Sequence, residues 1–126
     1  MTALTDFDTP RLAEAVDSLT QEQIDELPFG AIHLDAQETV VFFNKAEARL
    51  SGYAARPARG HGFFTDIAPC MNNAYFKGRI DQARRAGTLD IAFTFVGDFS
   101  DTEREFEVRV QSSRDGGYWI FNRRSS

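Results

Sequence analysis

The chain has 126 residues, 42% of them hydrophobic, which makes one ordinary domain with a single core and no room for a second. A net charge of -5 and a pI near 5.0 argue against a nucleic-acid groove, since phosphate binding there needs clustered Lys and Arg, and Arg123-Arg124 is expected as a solvated tail. A single cysteine excludes an internal disulfide, and with no N-terminal apolar stretch to act as a leader or membrane span the chain is expected in the cytoplasm.

The elements follow in chain order. Thr9-Pro10 predicts an N-cap with proline in the first turn, and Leu12, Val16 and Leu19 share one face of the short helix behind it. Thr20 with Gln23 three residues on predicts a capping box and a second short helix to about Glu26. These helices, in a cap over residues 1–28, are expected to cover one face of a sheet in the remaining core, 29–126. From Gly30 the period becomes that of strands: Ala31-Ile32-His33-Leu34, a turn at 35–38, then Thr39-Val40-Val41-Phe42-Phe43 as hairpin partner. A short helix over 45–50 ends at Gly52, and the polar stretch 53–62 reads as loop.

After the apolar run Phe63-Phe64-Thr65-Asp66-Ile67-Ala68 come Pro69 and Cys70. Tyr75, Phe76, Ile80 and Ala83 then suit one face of a longer helix stopped by Gly87. Alternation predicts three late strands, 89–99, 103–112 and 118–122, the last two joined by the turn Asp115-Gly116-Gly117. The pattern is α+β, a five-stranded antiparallel sheet with helices between strands two and three, and by itself it leaves several topologies open.

Cys70 carries the most chemical interest. Alone, a cysteine in an apolar setting is usually a small buried hydrophobe. The 12 phenylalanines, against three Tyr and one Trp, supply flat rings that fill a core or line a pocket for a planar ligand. Gly30 to Asp35, Phe43-Asn44-Lys45-Ala46-Glu47, Gly60 ahead of Phe63-Phe64, Asp66-Ile67-Ala68-Pro69-Cys70 and Tyr118-Trp119-Ile120-Phe121 occur in one order and spacing. Together they resemble the photoactive yellow protein family, small PAS-fold blue-light receptors. The resemblance spans nearly the whole chain, is gapless over 27–76, and is weaker over 97–117, where one residue is missing.

The resemblance implies a PAS fold and a 4-hydroxycinnamic acid (p-coumaric acid) chromophore held as a thioester on Cys70. It implies that Glu47 is a neutral acid donating to a buried phenolate, whereas a glutamate in Lys45-Ala46-Glu47-Ala48-Arg49 would otherwise be a solvent-facing helix residue. The mechanism it implies is trans-to-cis photoisomerisation, then proton transfer from Glu47, which leaves a buried carboxylate and detaches the N-terminal helices. Ser51 falls on a threonine of the family and keeps a hydroxyl; Phe63, Ala68, Pro69 and Phe99 line the pocket by the same carry-over. Phe43 stands where the family commonly has a phenolate-donating tyrosine. Loss of a hydrogen bond to a charged group, ~1.5–3 kcal/mol, would raise the phenol's pKa by ~1–2 units and mix two dark forms. Tyr53 replaces an arginine over the pocket mouth, Gly97 an aromatic, and Asp101 aligns near a methionine linked to dark recovery.

Rival readings come from other classes. A PAS interaction or ligand-sensing module would keep the sheet and leave Cys70 a buried thiol. A cysteine-dependent enzyme would need His33 or His61 as base, but His33 alternates away from Ile32 and Leu34, and His61 sits in a Gly-flanked loop. No haem, flavin or metal motif stands out. The expected protein is a non-enzymatic monomer that signals to a separate downstream protein and binds neither nucleic acid nor membrane.

Overall fold

The computed structural model describes residues 6–51, 60–67, 71–87, 89–96 and 105–124, with the side chains of 49–51, 96 and 124 excepted. Two short helices, α1 (Leu12–Asp17) and α2 (Gln21–Asp25), precede the hairpin β1 (Gly30–Leu34) and β2 (Val40–Phe43). Then come α3 (Lys45–Ser51), one π-helical turn (Phe63–Ile67), α4 (Lys77–Arg85), and the strands β3 (Asp90–Val96), β4 (Glu105–Ser112) and β5 (Tyr118–Arg124). The sheet order is β2-β1-β5-β4-β3 with every pair antiparallel. The last strand therefore sits beside the first and joins the hairpin to the β3–β4 pair.

Pairing and pleat decide what lies on each face. Ile32 stands opposite Ile120 and Phe43, and Gly30 opposite Asn122, so Gly30, Ile32, Leu34, Tyr118, Ile120 and Asn122 share one face. Helix α4 and the π-helical turn cover that face through Phe63, Phe64, Ile67, Phe76 and Ile80, all buried. Ala31, Trp119 and Phe121 point the other way, under Phe7, Leu12, Val16, Ile24 and Phe29 of the N-terminal cap.

Three local outcomes differ from or complete the expectations. The capping box forms as spaced: Thr20 Oγ1 accepts from Gln23 N and Gln23 Oε1 from Thr20 N. Thr9 is no N-cap, because its hydroxyl accepts from Asp6 N in a preceding turn and α1 starts two residues past Thr9-Pro10, behind Arg11. Tyr75 is exposed rather than on the buried face of α4: the Asn73 side chain accepts from the N–H of Tyr75 and of Phe76, making a turn from which the helix starts at Lys77. The late turn runs as expected, with Gly116 at φ +94, a conformation glycine adopts freely.

Candidate functional site

Asn44, fully buried between β2 and α3, organises the site. Its Oδ1 accepts from Glu47 N at 2.9 Å, capping α3, and from Ala31 N at 2.9 Å. Its Nδ2 donates to Ile24 O and Phe29 O. One side chain thus ties the helix bearing Glu47 to β1 and to the N-terminal cap. The pattern Asn44-x-x-Glu47 carries a capping signal that could have revealed Asn44 from sequence.

Glu47 does not turn back on its own helix or out to water. It is 6% exposed and lies against Gly30, where a Cβ would overlap its Oε1, so only glycine leaves room for the carboxyl at that point of β1. Asn122 Nδ2 of β5 donates to Glu47 Oε1 at 2.8 Å. Burial pushes the carboxyl up to about 7, against the smaller opposing effect of the Asn122 hydrogen bond. Near neutral pH the group is therefore poised between acid and carboxylate.

The same sheet face carries the ring cluster. Phe76 meets Phe64, Phe93 and Phe95 edge-on at centroid distances of 6.2, 5.4 and 5.1 Å, and Phe63 meets Phe64 at 4.9 Å. Phe43 is half-buried against this cluster and brings no hydroxyl. The π-helical turn aims the rings of Phe63 and Phe64 inward: the N–H groups of Asp66 and Ile67 both reach Gly62 O, and Phe63 N donates to Glu38 O. A buried acid and flat apolar walls on one face suit a planar, partly polar ligand.

Of the residues singled out in the sequence, Glu47, Phe43 and Phe63 lie on this side of the sheet. Ser51 ends α3, its side chain outside the described residues; Tyr53, Ala68, Pro69, Cys70, Gly97, Phe99 and Asp101 lie outside them altogether. The histidines fall elsewhere. His33 faces the cap, stacked on Trp119 at 4.4 Å, with Nε2 3.1 Å from both Ser113 Oγ and Asp115 Oδ2. His61 is surface-exposed, 3.8 Å from Asp66. Among the described residues no group of three or more His, Cys, Asp or Glu could hold a metal, and no helix is long and apolar enough to cross a membrane.

Sheet order and helical layer are those of the PAS fold, and residues 18–123 match that family. Within it, the chain is 34% identical to the photoactive yellow protein of Rhodothalassium salexigens and 30% to that of Halochromatium salexigens, each over 94% of this chain and 95% of the relative. It superposes with a TM-score of 0.78 on the crystal structure of the photoactive yellow protein domain from the sensor histidine kinase Ppr of Rhodospirillum centenum, at 37% identity, covering 88% of this chain and 98% of that one. The chain belongs to the photoactive yellow protein family, a group of PAS light-sensing domains.

Proposed function

We propose that the protein is a blue-light photoreceptor carrying 4-hydroxycinnamic acid as a thioester on Cys70. The observation that supports this most strongly is Glu47, a carboxyl almost fully buried on the ring-lined face and held near neutrality by desolvation. An ordinary core has no use for such a group, since burying an ionisable side chain destabilises the fold unless it is paired. The residues present fit the chromophore: Cys70 would hold it, Glu47 would meet its phenolic oxygen, and Phe43 and Phe63 would flank it. When bound, the group supplies visible absorption, light-driven trans-to-cis isomerisation and an oxygen able to take a proton.

The rest is the work of the chain's own residues. In the dark, Glu47 holds a proton and donates a hydrogen bond into the pocket. Once it gives up that proton, a carboxylate is left in an apolar site, which destabilises the packing around α3. Asn44 links α3 directly to Ile24 and Phe29, so a disturbance at Glu47 reaches the N-terminal cap through one side chain. Release of the cap is the signal, read by a separate downstream protein while the receptor itself stays a cytoplasmic monomer without enzymatic activity.

The test is to incubate the protein with activated 4-hydroxycinnamic acid, weigh it, and record absorption in the dark and after a blue flash. We expect a mass increase abolished by Cys70→Ala and a visible band that bleaches and recovers. Because Phe43 has no hydroxyl to stabilise the phenolate, the dark spectrum should contain two bands whose ratio changes with pH; a single band constant across neutral pH would refute that part. No adduct, or an adduct without a photocycle, would overturn the proposal in favour of a PAS interaction module without this chromophore.

A further inference from the structure

Asn122 is a polar residue at a position where the pleat of β5 asks for an apolar one. It follows Tyr118 and Ile120 on the inward face, is 4% exposed, and stands opposite Gly30 on one side and Val108 on the other. Its amide is used on one end only. Nδ2 donates to Glu47 Oε1 at 2.8 Å, while Oδ1 is buried with no hydrogen-bond partner among the described residues. An orphaned buried acceptor destabilises the fold, a cost that valine or leucine at this strand position would avoid. What Asn122 offers in exchange is an N–H aimed at the Glu47 carboxyl.

We propose that Asn122 is the positioning residue that stabilises Glu47 as an anion and so sets how readily Glu47 gives up its proton. The inference rests on the photoreceptor reading for its purpose, but not for its chemistry. When the proton leaves a Glu47 carboxyl oxygen, for water in the free protein or for the ligand's oxygen in the loaded one, both electrons of the O–H bond stay on the carboxylate. That carboxylate already faces a donor fixed on the most central seam of the sheet. A hydrogen bond to an ion is about twice as strong as one to a neutral group, so the N–H favours the ionised state. In the loaded protein the anion would then be tolerated longer before the cap lets go.

Among the described residues, Gly30 of β1, which has no side chain, and Asn122 of β5 meet the carboxyl; at the start of its helix Asn44 Oδ1 accepts from the Glu47 N–H, and the charged residue Lys45 at the first position of α3 is tied by its N–H to Asp25 Oδ1. Asn122 is thus the side chain to change. The experiment follows the Glu47 side-chain carboxyl carbon by NMR through a pH titration of the chromophore-free protein, in the wild type and in Asn122→Leu, which is nearly isosteric and carries no donor. The midpoint is expected to rise by about one unit or more, a tenfold or greater loss of acidity. An unmoved midpoint in a folded variant overturns the proposal.

Asn122→Asp gives a second, independent reading, since it replaces the donor by a carboxyl of the same shape. The pair should then titrate in two coupled steps, and a single step at the wild-type midpoint would refute the contact. If Asn122→Leu does not fold, this variant decides alone. A shifted Glu47 midpoint in a protein that takes up no chromophore would leave the Asn122 assignment standing and remove the photoreceptor reading. Normal adduct and photocycle with an unmoved midpoint would do the reverse.

Discussion

The two faces of the sheet are closed in different ways. On the cap face, apolar packing is reinforced by polar ties from the sheet to the N-terminal segment: Trp119 Nε1 donates to Asp17 Oδ1, Ala13 N to Gln111 Oε1, and the Arg109 guanidinium to the carbonyls of Phe7, Thr9 and Pro10. The three from Arg109 end on backbone oxygens in part-buried or exposed surroundings, where water can replace them. The opposite face is closed by interlocked phenylalanine rings, and the most deeply buried acid among the described residues, Glu47, accepts a hydrogen bond there from an amide of β5. One cover is fastened by many replaceable bonds and the other by close packing around a poised charge. A fold built this way can release the first cover when the second is disturbed.

The largest expected effect tests the packed face. Phe76 is fully buried and touches three other rings, so Phe76→Ala should lose about 3–5 kcal/mol of unfolding free energy, seen as a lower urea midpoint. A loss below about 1 kcal/mol would mean that the ring cluster is loosely filled, and the contrast with the cap face would fail.

The next concerns pH, where acids on the two faces should act in opposite senses. Glu47 is raised from 4.5 to about 7 on folding, so between those values the folded state binds more protons than the unfolded one. Stability from this group is full below pH 4.5, falls as pH rises, and levels off above about 7. At 1.36 kcal/mol per unit the whole step is about 3 kcal/mol. Asp115, on the turn beside His33, is shifted down: burial opposes the shift, but hydrogen bonds from Ser113 and Gly117 and the nearness of His33 outweigh it. Its contribution is present above the ordinary value of 3.8 and disappears as pH falls through the lower folded value. Urea titrations at several pH values should show the first step vanish in Glu47→Gln and persist in Asp115→Asn; a step unchanged in Glu47→Gln would locate it elsewhere.

Much of this was legible in the sequence because alternation and caps are local signals. The five strands follow the period-two pattern of segments such as Phe93-Thr94-Phe95, and the Thr20–Gln23 box needed only its spacing. The site was less legible. Local pattern put Glu47 in solvent, and only the resemblance put it inside; the physical reason is a contact 17 residues away in the chain, at Gly30, together with one 75 residues away, at Asn122. Asn44 and Asn122 are single polar residues at the ends of strand runs, where a polar side chain usually marks the edge of the core rather than its centre. The π-helical turn escaped as well, since Phe63, Phe64 and Ile67 fit an α-helical face equally well.

The smallest effect is also the sharpest test of whether the cap is a separable cover. Arg109 stands on β4, and its guanidinium spans three carbonyls of the segment before α1, while Gln111, two residues along the strand, holds Ala13 N and Pro10 O. Arg109→Leu keeps the side-chain bulk over the strand but removes the charged donors. It should weaken the cap by about 2 kcal/mol, partly offset because water solvates the freed carbonyls. Hydrogen exchange reads where that loss falls. If the cap opens as its own unit, amides of α1 should exchange roughly thirtyfold faster while those of β1 and β5 hold their rates, because the loss then belongs to local opening alone. If the amides of β1 and β5 accelerate by the same factor, cap and sheet unfold together, and a change at Glu47 could not free one without breaking the other.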